Sequence, residues 1–589
     1  MTDVRAAFGQ RSTWLADGMR KRPLARRRLV SAVAILGFSV PLAAYLWFIH
    51  HYSINVVFAD QWDDVNVIGH SYSGGLTLST LWAQHNESRI LIPNLIVLLL
   101  AHTAQFNVLL EEYLSALVLC GTTGLLIWAH KRRSPSQPWI AYCPVAILML
   151  SLVQSGNTLW GFQLAWYLVL AMLALTLFLL DRALLTRLAF AAAIGAAVVG
   201  SLALIQGLFI WPAGLILLYH RRRSLSQVIV WCGAAAATVV VYFQNFNFHA
   251  ALPSYLSGLH LPGPAIRFFF QAIGDVLGVK LNDAGGALNN AVLALGVALF
   301  LVSIYAVITR GLRRDNSTGG PFGVALICFG LLFAASIAYG RAWAGPSAAS
   351  ASRYTTFDLL VLVGIYFAVL PRSPRATPSR LPVRLATSGV GIVLVGAICL
   401  QVVVGLASGI RDGRSIHQSW VRAAVVLVDI NEAPDSLVQA ALYPDVSATF
   451  VRREAKILKR YRLSLFATDA VGAYARIGLS YEKEGFFKAP KASPVTTVLV
   501  PRYGAILRGR TLLDASGGDS VRVLRVEFQL TGGSLHDARI GLGTPTLDGW
   551  ILHWNTRSTP NGTYMLESVV YGAGGNVSRS SAVAITVQN

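Results

Sequence analysis

Two short polar clusters break an otherwise apolar N-terminal third: Asp60-Gln61-Trp62-Asp63-Asp64 and Gln84-His85-Asn86-Glu87-Ser88-Arg89. A carboxylate can take the proton of a hydroxyl as that oxygen attacks an electrophile, and cations beside it can hold a departing phosphate. Asp60, with Asp63 second, fits the first role. His85 and Arg89 fit the second, with Glu87 between them. From a distant loop, Arg341 and Arg353 join as phosphate ligands; they flank Ala344-Gly345-Pro346-Ser347, whose small residues let a phosphate approach the backbone. Trp62 offers a ring to stack on a sugar, although tryptophan near a membrane boundary is more often an anchor. Asp64 and the pair Glu111-Glu112 are expected to be solvated. His249 and His260 have no carboxylate at metal-ligand spacing, so no metal is expected from them.

The elements that must carry these clusters are membrane helices. Hydrophobic residues make up 54% of the chain and charged residues only 13%, with mean hydropathy +0.55, which excludes an ordinary soluble enzyme. Apolar runs long enough to span lie at about 29–49, 112–130, 138–153, 160–180, 188–205, 207–220, 226–243, 288–309, 321–340, 356–370 and 386–408, about eleven in all. The basic stretch before the first run lacks a cleavage site after it and reads as a cytoplasmic anchor rather than a removable signal peptide. With residues 1–28 inside, the inner segments hold 23 Lys and Arg and the outer loops before residue 409 hold 5. That asymmetry sets the orientation. It also accounts for the net charge of +21 without nucleic acid, because the basic residues sit on loops too short to form a binding face. The five cysteines all fall in predicted helices, so no disulfide framework is expected.

The transmembrane part, 29–408, contains a long first outer loop, 50–111. An odd number of spans puts everything after 408 outside. Residues 409–494 read as a mostly helical linker, with periodic segments at Ser415–Val428 and Val451–Arg462. From 495 to 589 the pattern changes to alternating strands split by turns: Thr496–Pro501, Val521–Leu530, Gly549–Trp554, Gly562–Tyr571 and Ser581–Val587. About seven strands in so short a stretch predict a β-sandwich. The run from Gly549-Trp550 through Asn561-Gly562-Thr563-Tyr564 to Gly574-Gly575-Asn576 resembles bacterial immunoglobulin-like domains of surface proteins.

An acidic motif directly after the first span, on a polytopic α-helical bundle with an exported C-terminal part, resembles the GT-C superfamily of integral-membrane glycosyltransferases. The resemblance implies a polyprenyl-phosphate-linked sugar as donor, an envelope glycan, lipid or protein as acceptor, inversion at the anomeric carbon, and Asp60 as base with Asp63 second. Where the superfamily often carries an acidic residue beside the first Asp, this chain has Gln61. Ser352-Arg353-Tyr354 is similar to an element of bacterial membrane proteins that also carry Asp-Gln-Trp-Asp and His-Asn-Glu motifs. No cofactor is required by this reading; a divalent cation at the acidic motif stays open. The expected location is the bacterial plasma membrane, multi-pass, with the C-terminal domain extracytoplasmic. Two alternatives remain: a lipid or glycolipid transporter or flippase, and a non-enzymatic scaffold that displays the β domain. Neither a Walker loop nor a Rossmann fingerprint is present, so ATP does not drive the chemistry.

Overall fold

The computed structural model of the chain describes residues 3–247, 261–283, 285–311, 320–370, 389–431, 433–444, 446–483, 495–517, 523–545, 549–572 and 577–589. His249 and His260, the inner-loop arginines Arg313, Arg314, Arg372, Arg375, Arg380 and Arg384, and the turn Gly574-Gly575-Asn576 lie outside them.

Among the described residues nine helices are long and apolar enough to cross a membrane: Arg28–Tyr52, Val108–Arg133, Trp139–Thr158, Gly161–Leu180, Leu225–Phe243, Ala287–Arg310, Gly320–Ala349, Ser352–Val369 and Gly389–Val428. They match nine of the expected runs. The other two, 188–205 and 207–220, form the shorter helices Arg187–Ser201 and Ile205–His220. At about 1.5 Å rise per residue each falls short of a ~30 Å hydrocarbon layer. The first is capped by Thr186, whose hydroxyl accepts the Ala189 N–H, and the chain breaks at Ala203–Leu204 before a 3-10 turn starts the second.

Inside lipid, apolar faces gain little by meeting each other, so close approach has to hold helices together. Glycine provides it at several crossings, among them two backbone to backbone in the bundle. A Cβ on Gly323 would lie 2.5 Å from the Gly364 carbonyl oxygen, between Gly320–Arg341 and Ser352–Val369. A Cβ on Gly296 would lie 1.7 Å from that of Phe270, between Ala287–Ala306 and Pro262–Gly274. On the basic loops, Asp181 is fully buried and pairs with Arg133 and Arg221.

The Gly389–Val428 helix is 40 residues long and runs without a break through the expected boundary at 408. Gly409 and Gly413 keep it against Leu152 and Phe48 there. Nor is 409–494 a mere linker. Its helices Asp435–Leu442 and Ala448–Tyr461 share a second apolar core with the first loop, in which Val56, Trp62, Val65, Val97 and Phe106 pack with Trp420, Leu427, Val438, Val451 and Leu458. The Leu91–Ala104 helix, 14 residues long, turns Val97, Leu98 and Ala101 into that core.

Among the described residues the C-terminal region forms two β-sheets, with one 3-10 turn at Thr556–Ser558. One runs Ala505–Leu507, Val583–Val587, Gly562–Gly572, Val523–Gly532, Leu535–Leu542, with Val577–Arg579 also on Gly562–Gly572; the other runs Thr496–Val500, Arg510–Gly517, Trp550–Asn555, Thr544–Pro545. All pairs are antiparallel except Val583–Val587 with Ala505–Leu507. Leu513, Phe528, Trp554, Leu566 and Ile585 from both sheets share one core.

Candidate functional site

Asp60 stands at the N-cap of the Gln61–Tyr72 helix, yet its carboxylate caps no backbone N–H. The preceding Ala59 has φ +47° and donates its N–H to the Leu442 carbonyl at 2.7 Å, which pins the helix start to the second core. Asp63 follows three residues later and so lies on the same face. His85 comes from a hairpin in which Gln84 pairs with Arg89 and His85 with Ser88. Asn86 takes the left-handed turn position at φ +48°, a conformation asparagine tolerates. Gln84 fixes the hairpin by donating to Asn247 O and accepting from Asn247 N–H.

These supports bring three of the expected residues together. His85 Nε2 lies 3.7 Å from Asp60 Oδ2 and Nδ1 lies 3.4 Å from Asp63 Oδ2, which is ion-pair spacing. A fourth group arrives from far along the chain: the Tyr443 hydroxyl donates to Asp60 Oδ1 at 3.2 Å and Asp63 Oδ2 at 3.0 Å. Phe162 packs on the His85 ring, with centroids 5.1 Å apart. The carboxylates stay open to solvent, with 26% of the Asp60 side chain and 41% of Asp63 exposed.

Burial by itself lowers the basicity of His85, but the hydrogen-bonding and charge of Asp60 and Asp63 outweigh it and push the imidazole up to about 10. The ring is therefore a cation at neutral pH. Burial raises Asp60, while His85, the Tyr443 hydroxyl and the charge of Arg353 together hold its carboxyl below the ordinary value. Arg353 thus acts on the same centre; its guanidinium also lies over the Tyr354 ring at 5.0 Å. Arg341 Nη2 meets Glu87 Oε1 at 3.1 Å, so these two expected ligands form a pair on the hairpin turn.

Two other candidates have different work. Arg89 is buried and donates Nη1 to Trp82 O at 2.5 Å and Nη2 to Gln244 O at 2.9 Å and Asn245 O at 3.2 Å. A guanidinium committed to backbone carbonyls is a staple between the hairpin and the end of Leu225–Phe243, not a phosphate ligand. Trp62 is fully buried in the second core, which leaves no ring face for a sugar.

Sequence reasoning missed Tyr443, and it expected solvent around three acids that are in fact buried. Asp64, Glu111 and Glu112 are at most 3% exposed. Burial, then the charge of Glu111, holds the Asp64 carboxyl well above the carboxylate range. Gln61, also buried, donates to Glu111 Oε2 at 2.9 Å and so ties the start of the Gln61–Tyr72 helix to the Val108–Arg133 helix. The described residues contain no group of three or more His, Cys, Asp or Glu arranged to hold a metal.

No family model matches the chain, and no curated protein matches it. Among solved structures, an engineered protein is 19% identical over 17% of this chain and 21% of that one, with TM-score 0.13. The endo-beta-1,4-mannanase from Thermotoga petrophila is 12% identical over 26% of this chain and 28% of that one, with TM-score 0.14. The chain thus spans under a third of either protein, and neither likeness bears on its fold or function.

Proposed function

We propose that the chain is a GT-C-type membrane glycosyltransferase of the bacterial plasma membrane, acting on the extracytoplasmic side. It transfers a sugar from a polyprenyl phosphate to an envelope glycan, lipid or protein. The observation that carries the reading is the hydroxyl already held by Asp60 and Asp63. Tyr443 donates its O–H to both carboxylates, where an acceptor hydroxyl would donate its own.

In the proposed reaction the acceptor oxygen attacks the anomeric carbon as the bond from that carbon to the phosphate oxygen breaks. The acceptor proton passes to Asp60, and the bonding pair leaves with the phosphate. The low basicity of Asp60 suits a late transfer, once attack has made the hydroxyl acidic. His85, as imidazolium, and Arg353 offset the charge gathering on the phosphate, and the Glu87–Arg341 pair orients the donor. One displacement with one base inverts the anomeric carbon. The C-terminal sheets fit an immunoglobulin-like domain that binds or positions the acceptor.

The test is transfer of radiolabelled sugar from a polyprenyl-phosphate pool in membranes holding equal amounts of the intact protein or Asp60→Asn. Loss of a general base predicts a fall of roughly 10²–10⁴-fold. Unchanged transfer by a folded Asp60→Asn protein would sink the assignment.

A further inference from the structure

The helical bundle buries a second set of polar groups that the proposed reaction does not use. Gln271 and Asp275 lie four residues apart, at the end of Pro262–Gly274 and in the turn after it, and so share a face. Thr355 and Asp358 share a face of Ser352–Val369, with Asp358 about 9 Å of helical rise beyond Ser352. The two elements pack together, and Asp358 lies within electrostatic reach of Asp275. From the Gly389–Val428 helix come Ser408 and, one turn on, Asp412, whose charge also reaches Asp275.

Gln271, Asp275 and Asp358 are each 1% exposed and Thr355 not at all. Six buried oxygens of these residues and Ser408 have no hydrogen-bond partner among the described residues: Gln271 Oε1, Asp275 Oδ2, Thr355 Oγ1, Ser408 Oγ and both of Asp358. Each such group forgoes the hydrogen bonds it would make in water, a loss that is larger for a carboxylate. Asp275 Oδ1 is satisfied by the Val279 N–H at 2.9 Å. Of the three carboxylates only Asp412, nearer the surface, has a cation beside it among the described residues: Lys280 Nζ at 3.8 Å.

We propose that these buried groups together bind a divalent cation of the calcium or magnesium class. Carboxylate, amide and hydroxyl oxygens are the ligands such hard ions take, in sets of six or more. No thiol or imidazole among these groups favours a softer metal. Two positive charges balance Asp275 and Asp358 where an uncompensated carboxylate is most costly. Asp412, with 17% of its side chain exposed, is the most exposed of the three carboxylates.

The test uses the full-length chain in detergent, stripped with a chelator and titrated separately with Ca²⁺, Mg²⁺, Na⁺ and K⁺ by calorimetry and thermal unfolding. One divalent ion per chain should bind and raise Tm. Asp358→Asn should abolish both effects, yet without cation unfold no earlier than the wild type, because the amide replaces a buried carboxyl that has no hydrogen-bond partner among the described residues. Thr355→Val, near-isosteric, should weaken binding about tenfold and decides the matter if Asp358→Asn does not fold. Saturation by sodium alone, no divalent binding at millimolar concentration, binding untouched by either substitution, or a lower Tm of cation-free Asp358→Asn overturns the proposal.

Discussion

His85 lies between two carboxylates, 3.7 Å from Asp60 and 3.4 Å from Asp63, and its basicity rises to about 10 from an ordinary 6.5. A group more basic in the folded state than in the unfolded one stabilises the fold fully below its unfolded value. That stabilisation is lost as pH climbs through the folded value, so the window here runs from about 6.5 to about 10. Asp60 has the opposite sign: its depressed carboxyl stabilises above the ordinary 3.8 and that gain is lost as pH falls. Removing the cation should remove the alkaline loss. His85→Gln is therefore expected to unfold at a temperature nearly constant from pH 7 to 10, while the wild type's Tm falls across that window. Parallel slopes in thermal scans of the two purified proteins would refute the coupling. The sequence showed Asp60, Asp63, His85 and Glu87 as candidates because they fall within one loop. It could not show Tyr443, which meets Asp63 across 380 residues and has no local motif around it. Asp64 looked solvated for a similar reason: the side of the Gln61–Tyr72 helix that faces inward is chosen by the distant Ala448–Tyr461 helix packed against it.

Arg89 acts on elements rather than on substrate. Its guanidinium reaches Trp82, Gln244 and Asn245 at once, and its backbone N–H donates to the Tyr242 hydroxyl at 2.9 Å. A lysine ammonium cannot span those carbonyls, so Arg89→Lys should leave buried acceptors unpaired and cost about 2–3 kcal/mol of stability. Under the proposed function the folded fraction should still transfer sugar at close to the wild-type rate, unlike Asp60→Asn. Tm together with activity per folded molecule checks this; a normal Tm with lost transfer would return Arg89 to the phosphate. The same scale shows what hydropathy reads well and where it fails. Nine runs became helices of spanning length because composition and length agreed there. At 188–220 composition was equally apolar, but the break at Ala203–Leu204 divides it into pieces of 15 and 16 residues. In the β region Leu535–Leu542 left no alternating signal because it buries no residue on either face.

The described residues of the molecule form three apolar cores, in the bundle, in the unit made by the first loop with the segment after residue 416, and in the C-terminal sheets. The Asp60–His85–Asp63 centre and Tyr443 belong to the second unit, and Arg341 and Arg353 stand at the ends of bundle helices. Every buried residue of the first two cores precedes residue 466, whereas the third draws only on 498–587. The expected boundary at 408 therefore divides what packs together, while the one near 495 divides what has separate cores. Under the proposed function, chemistry and acceptor choice should separate at that second boundary. A chain ending at residue 494 should keep transfer to a small soluble acceptor within about threefold, because its cores are intact. It should lose the preference for the native envelope acceptor over others. Competition between a simple glycoside and isolated envelope material in the radiolabel assay measures both. Retained preference would remove the sheets from acceptor choice; complete loss of transfer by a folded truncation would place them in the catalytic unit and overturn the division of labour.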